Sequence, residues 1–161
     1  MLRRILALSI LALSPLSWAA DADPNATQAT PEQVVADFRA DLMANRSDVM
    51  ANSLTLTSEQ AAKFWPLFEE FQREQGQIVE AQLKATKQYG EHLADLNDSE
   101  ALAYVKALLA RDAKMNKLQT EWLAKFQGVV PVKTAARAIQ LDRRLGQVTQ
   151  VGLSSQIPLV R

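Results

Sequence analysis

Few residues in this chain can do chemistry, and their spacing limits what they can do. His92 is the only histidine and cysteine is absent. Transition-metal sites recruit several His or Cys side chains, and His92 has neither a Glu three residues ahead of it nor a His four residues away. Without Cys, disulfides and thiolate ligands are excluded too. A nucleophile needs a base within reach and a third group that orients that base, so the common triads cannot be assembled here. Glu70 and Glu74 have the one-turn spacing of paired carboxylates, but their neighbours are polar and Arg73 lies between them, which reads more plainly as a solvated face. The expectation is a protein that is not an enzyme, with no catalytic residue, metal or cofactor.

Two other groups are more suggestive. Asp112, Asn116 and Gln119 fall within the apolar arc of a helix, where a carboxylate without a partner is costly. They should form a satisfied polar cluster, with Arg137 or Arg144 as partner, or mark where the arc is open. Lys106, Lys114 and Lys117 lie within roughly 80° of one another on the same helix. Beside them stand Ala103, Ala107 and Ala110, giving a shallow surface both basic and apolar. Charge attracts a chain from a distance and short apolar contacts retain it loosely, so these three lysines are the candidate client-binding residues.

The elements that position these groups are helical. Thr30, Pro31 and Gln33 open a first helix with a hydroxyl cap, a proline at the first position and a Gln that reaches back to the cap. Val35, Phe38 and Leu42 mark its buried face, and it should fade around residues 46–53. Thr57 and Gln60 form a capping box for a second helix. Phe64, Leu67, Phe68, Phe71, Ile78, Leu93 and Leu96 then hold one stripe of roughly 120° through Pro66, which predicts a kink and not a break. Gly76, Gly90 and the polar "QREQGQ" should soften its middle. Asp98 or Ser99 caps a third helix running to about Gly128, with Tyr104, Val105, Leu108, Leu109, Met115, Trp122, Leu123 and Phe126 in its apolar arc. Pro131 precedes a fourth helix to about Val151, where Ala138, Leu141, Leu145 and Val148 form a coiled-coil-like seam. The tail "IPLVR" should dock. No segment sustains period-two alternation, so the fold class is all-α, a long kinked helical hairpin with additional N- and C-terminal helices.

"MLRRILALSILALSPLSWAA" has basic Arg3 and Arg4, an apolar run too short to span a membrane, and small residues Ser17 and Ala19 before a cleavage point. The expected organisation is a signal peptide at 1–19, cleaved near Ala19, a flexible lead-in at 20–29, and a single helical domain at 30–161. No membrane span remains after cleavage. Without Arg3 and Arg4, 16 of the 18 basic residues face 18 acidic ones, a near-balance that argues against a nucleic-acid partner.

The motifs carry a resemblance. "LTSEQ", Leu56 to Gln60, matches the Leu-Thr-x-x-Gln signature of the Spy/CpxP family of exported bacterial stress proteins. "LNDSE", Leu96 to Glu100, resembles a degenerate second copy with Asn for Thr and Glu for Gln. "LTSEQAAKFWPLFEEF", "VPVKTAARAIQLDRRL" and "IPLV" look like a group of small exported proteins. That group has the pattern Leu-Thr-x-x-Glu/Gln-Ala-x-x-Phe-Trp-Pro-x-Tyr and a later Ala-Arg-Tyr-x-Gln-x-Glu. Phe68, Ala138 and Asp142 depart from it. Leu56, Thr57, Gln60, Phe64, Trp65, Pro66, Leu96 and Glu100 are the motif residues, and a structural role in capping and bending explains them. The resemblance implies a bent hairpin, often a cradle-shaped homodimer, in the periplasm. It also implies an ATP-independent chaperone-like holdase or envelope-stress accessory protein whose partners are unfolded or envelope proteins. Its alternatives are a regulatory module docking on a membrane sensor kinase, and a metal-responsive sensor using Met43, Met50, His92 and carboxylates, which one His fits poorly.

Overall fold

Three helix starts use one side-chain device. Gln33 N–H donates to Thr30 Oγ1 at 3.3 Å while Thr30 N–H donates to Gln33 Oε1 at 2.8 Å. Gln60 N–H and Thr57 N–H make the same exchange at 3.2 and 3.1 Å. Glu100 and Asn97 repeat it at 3.0 and 3.1 Å. Each box satisfies two backbone donors that a helix start leaves free. The third places the cap at Asn97, not at Asp98 or Ser99, because the Glu that reaches back lies three residues after Asn97.

The computed structural model describes residues 30–44 and 46–160, with side chains described except at 38–44. The expected signal peptide and lead-in, and the side chains of Phe38, Leu42 and Met43, lie outside the described residues. Among the described residues there are five helices and no strand: α1 (Pro31–Ala44), α2 (Arg46–Ser53), α3 (Ser58–Glu91), α4 (Asp98–Gln127) and α5 (Val132–Ser155). The fold is all-α, and α3 with α4 makes a long helical hairpin. Cross-helix pairs fix the directions. Phe64 meets Phe126, Phe71 meets Trp122, Gln75 meets Met115 and Tyr89 meets Tyr104, so α3 and α4 are antiparallel. Gln75, Gln82 and Tyr89 reach Asp142, Gln150 and Pro158 in order, so α5 runs parallel to α3. Glu32 pairs with Lys87 and Arg46 with Gln75, which sets α1 and α2 antiparallel to α3. Neighbours pack in a ring, α1 on α3, α3 on α4, α4 on α5 and α5 on α1. The result is an up-and-down four-helix bundle whose first strut is split into α1 and α2.

Residues 46–53 do not fade. They form α2, because Met50 is fully buried and Arg46 nearly so, and that burial holds a short helix too small to stand alone. α3 continues through Pro66, which is exposed; the proline removes the N–H that would reach Ala62, a loss of about 3 kcal/mol in a helix interior. Around it, Trp65 stands edge-on to Phe64 and Phe68, with centroids 5.2 and 5.8 Å apart. Phe64, Phe68, Phe71, Trp122 and Phe126 are all nearly or fully buried and form the aromatic end of the core. Edge-to-face and offset pairs of this kind add roughly 0.5–1.5 kcal/mol each beyond area burial, which offsets the proline. Leu56, just before the Thr57 cap, also packs on the core.

Toward its C-terminal end α3 buries Gln75, Val79, Gln82, Leu83, Thr86 and Tyr89. Ile78 is only half-buried, and Leu93 and Leu96 lie beyond the helix end, in the turn before α4. The "QREQGQ" stretch is unbroken helix. On α5, Ala138 is buried and Leu141 and Leu145 are half-buried, but Val148 is 74% exposed, so the expected seam stops short of it. The tail docks in part: Tyr89 Oη donates to the Pro158 carbonyl at 2.9 Å and Ile157 packs on the core, while Leu159 and Val160 are exposed.

Candidate functional site

The four packed struts meet at one polar cluster. Asp142 sits on the buried face of α5, four residues after Ala138 and three after Ile139, and is 1% exposed. Its carboxylate accepts from Gln75 Nε2 at 3.0 and 3.2 Å and from Gln119 Nε2 at 3.1 Å. Arg46 Nε lies 3.5 Å from Asp142 Oδ1, and Arg46 Nη1 donates to Gln75 Oε1. Arg143 Nη1 donates to Gln119 Oε1 at 2.8 Å and to Asn116 Oδ1 at 3.2 Å. One polar side chain each from α2, α3, α4 and α5 thus converges on Asp142 or its partners. A buried pair of this kind adds little net stability, but its hydrogen bonds are met only in one register of the helices. Beside the cluster lies a cavity of about 280 Å³ between α3, α4 and α5.

The sequence placed part of this cluster correctly. Gln119 is buried and partnered, and Asn116 joins through Arg143. Asp112 does not: its side chain is 62% exposed and bonds to its neighbour Arg111 at 2.8 Å. The arginine partners are Arg46 and Arg143. Arg137 and Arg144 instead line a separate shallow hollow with Gln140 and Leu141. Gln75 and Arg46 were missed because their polar identity hid their phase. Gln75 stands four residues after Phe71 and four before Val79, on the buried stripe itself.

The second candidate is the surface of α4. Lys106, Lys114 and Lys117 are all exposed. Lys117 lies 3.8 Å from Glu121, and Lys106 and Lys114 form no ion pair among the described residues. Beside them Leu102, Val105 and Leu109 are 54%, 43% and 64% exposed. Val105 and Leu109 therefore leave the expected buried arc, and Leu118 enters it beside Gln119. The cause is positional. The first half of α4 packs through Tyr104, which stacks on Tyr89 at 4.2 Å, and the hydrogen bonds from α5 to α4 end at Asn116. Spaced by three and four residues, the three apolar side chains form one uncovered stripe next to Lys106.

The remaining candidates have structural partners. Glu70 pairs with Arg73 at 3.5 Å on the surface. Glu74 is half-buried and accepts from Trp122 Nε1 at 3.0 Å, and Lys125 Nζ sits 3.7 Å over the Trp122 ring. His92 caps the end of α3, with Nδ1 2.8 Å from Glu100 Oε1. The Asn97 backbone N–H and then His92 hold the Glu100 carboxyl below its ordinary range. Burial pushes the Tyr104 hydroxyl up. Met50 is fully buried while His92 is exposed, so they do not share an environment. Among the described residues no helix is long and apolar enough to cross a membrane. Compared with family models, with curated proteins and with solved structures, the chain has no match.

Proposed function

We propose that this protein is an exported, ATP-independent holdase of the bacterial periplasm that captures unfolded chains on the outer face of α4. One observation carries the reading: the uncovered stripe of Leu102, Val105 and Leu109 beside the exposed Lys106, with Lys114 and Lys117 farther along the same helix. The occupant that fits is an unfolded segment with scattered apolar residues and net negative charge. Contiguous exposed apolar side chains rimmed by polar ones often mark interaction sites.

Magnitudes favour loose retention. Full burial of such a side chain gives ~1.5–3 kcal/mol, so covering the exposed half of these three gives about 3 kcal/mol in all. That is close to a hundredfold, before the cost of ordering the client. The lysines raise the rate of encounter, an effect that salt screens over about 10 Å at 0.1 M. Binding should therefore be weak, fast and reversible, without nucleotide chemistry.

The test is light scattering of a chemically denatured client diluted into buffer with and without a molar excess of the protein. Suppression that weakens with added salt is the expected result. Unchanged aggregation at every salt concentration refutes the proposal and redirects the search to one folded envelope partner.

A further inference from the structure

The cavity beside Asp142 lies on the side of α4 away from its lysines; it is open to solvent on one side and rich in guanidinium groups. Arg46, Arg111 and Arg143 face it, against only two carboxylates, Asp112 and Asp142, so one positive charge is in excess. Arg46 is 93% buried by its 7% exposure, and its Nε–H has no hydrogen-bond partner although Asp142 lies in ion-pair range. Arg111 Nε is likewise buried and unpartnered. Arg143 spends Nη1 on Asn116 and Gln119, and no other hydrogen bond from its guanidinium is seen among the described residues. The Nε–H groups of Arg46 and Arg111 are buried, and buried donors without a protein acceptor are rare in native structures and call for an occupant, water or ligand.

We infer that this cavity is a binding site for a small organic carboxylate, held by the free guanidinium N–H groups of Arg46, Arg111 and Arg143. Three arguments select the class. The acceptors missing from the site are oxygens, and a carboxylate presents two of them in the plane a guanidinium fork matches. Its single charge balances the excess, whereas a phosphate near −2 would bury uncompensated charge. The cavity, about 280 Å³ and open to solvent on one side, has room for a small molecule such as glutamate, whose net charge is −1. Gln147 and Gln150 at the rim add carboxamides for the rest of such a molecule.

Gly146 offers a way to close the site without removing charge. It lines the cavity, and a Cβ there would sit 3.6 Å from Arg46 Nη2, an ordinary contact, so a longer side chain can enter the space. Calorimetric titration of the full chain with acetate, glutamate and inorganic phosphate is the experiment, with circular dichroism verifying each variant's helicity. Saturable binding of a carboxylate is expected, weakened at least about tenfold by Arg143→Gln, whose side chain is at the surface, and by Gly146→Met. Three results overturn the inference: no saturable binding of either carboxylate up to about 10 mM, tighter binding of phosphate, or unchanged affinity in the Arg143→Gln variant.

Discussion

Replacing Asp142 by alanine should cost about 4 kcal/mol, a large share of the ~5–15 kcal/mol by which domains are stable. The figure follows from what the carboxylate leaves behind. Arg46 is 7% exposed and would keep a full charge with no counter-ion, and breaking a buried pair in this way costs ~3–5 kcal/mol. The Nε2 donors of Gln75 and Gln119 would lose their acceptor as well, though the cavity lets water reach them and limits that loss. Urea unfolding followed by circular dichroism measures the change. A double variant, Arg46→Met with Asp142→Ala, removes both charges together and should recover at least about 2 kcal/mol of the summed single losses. A loss under about 1 kcal/mol for Asp142→Ala, or a strictly additive cycle, would refute the argument. It would mean that the pair is solvated and that α2 is held by Met50 alone.

Other consequences are equally specific. Gly76 has open space at its Cβ position, so Gly76→Ala should raise the melting point by the helix-propensity gain of up to ~1 kcal/mol. Gly90→Ala should lower it by about 1 kcal/mol or more, because a Cβ there meets Pro31 Cγ at 2.8 Å and a proline ring cannot rotate aside. Asn97→Ala should cost about 1 kcal/mol by uncapping α4. Since Glu100 has a lowered pKa in the folded state, its contribution to that cap is present above the ordinary value of 4.5 and lost as pH falls through the folded value. The protection factor of the Asn97 amide, its exchange relative to the intrinsic rate at each pH, should fall on acidification in the wild type and not in Glu100→Gln. Changing Lys106, Lys114 and Lys117 to Gln should leave stability within about 0.5 kcal/mol while flattening the salt dependence of client capture in light scattering.

The capping boxes at Thr30 and Thr57 were the most legible features of the sequence, because such a box is a local device whose spacing survives any tertiary context, whereas the third cap fell at Asn97 and not at the expected Asp98 or Ser99. The aromatic stripe from Phe64 to Phe71 was legible for the same reason: its chemistry and its phase agree. Past Phe71 they disagree. Gln75 and Gln82 hold buried positions in phase with Phe71 and Val79, and reading chemistry before phase moved the expected stripe to Ile78 and Leu93. Val105 and Leu109 failed in the opposite sense. They are apolar and in phase, yet among the described residues they stay about half exposed, and only the arrangement of the neighbouring helices decides that. α2 was illegible because eight residues with weak propensity gain their helix from Met50 and Arg46 reaching a core built elsewhere. Asp142 was noticed only as a departure from a motif, although its place between Ile139 and Gly146 on the buried face already marked it as a polar group needing partners.

The most direct test of capture on α4 is to change Leu102, Val105 and Leu109 to serine together and repeat the scattering assay at low salt, beside the wild type. The buried halves of these side chains contribute up to about 3 kcal/mol to folding, so the melting point should fall while helicity at the assay temperature is kept and suppression of aggregation is lost. Full suppression by a folded triple-serine variant would contradict the account, because the apolar stripe would then have no part in holding clients.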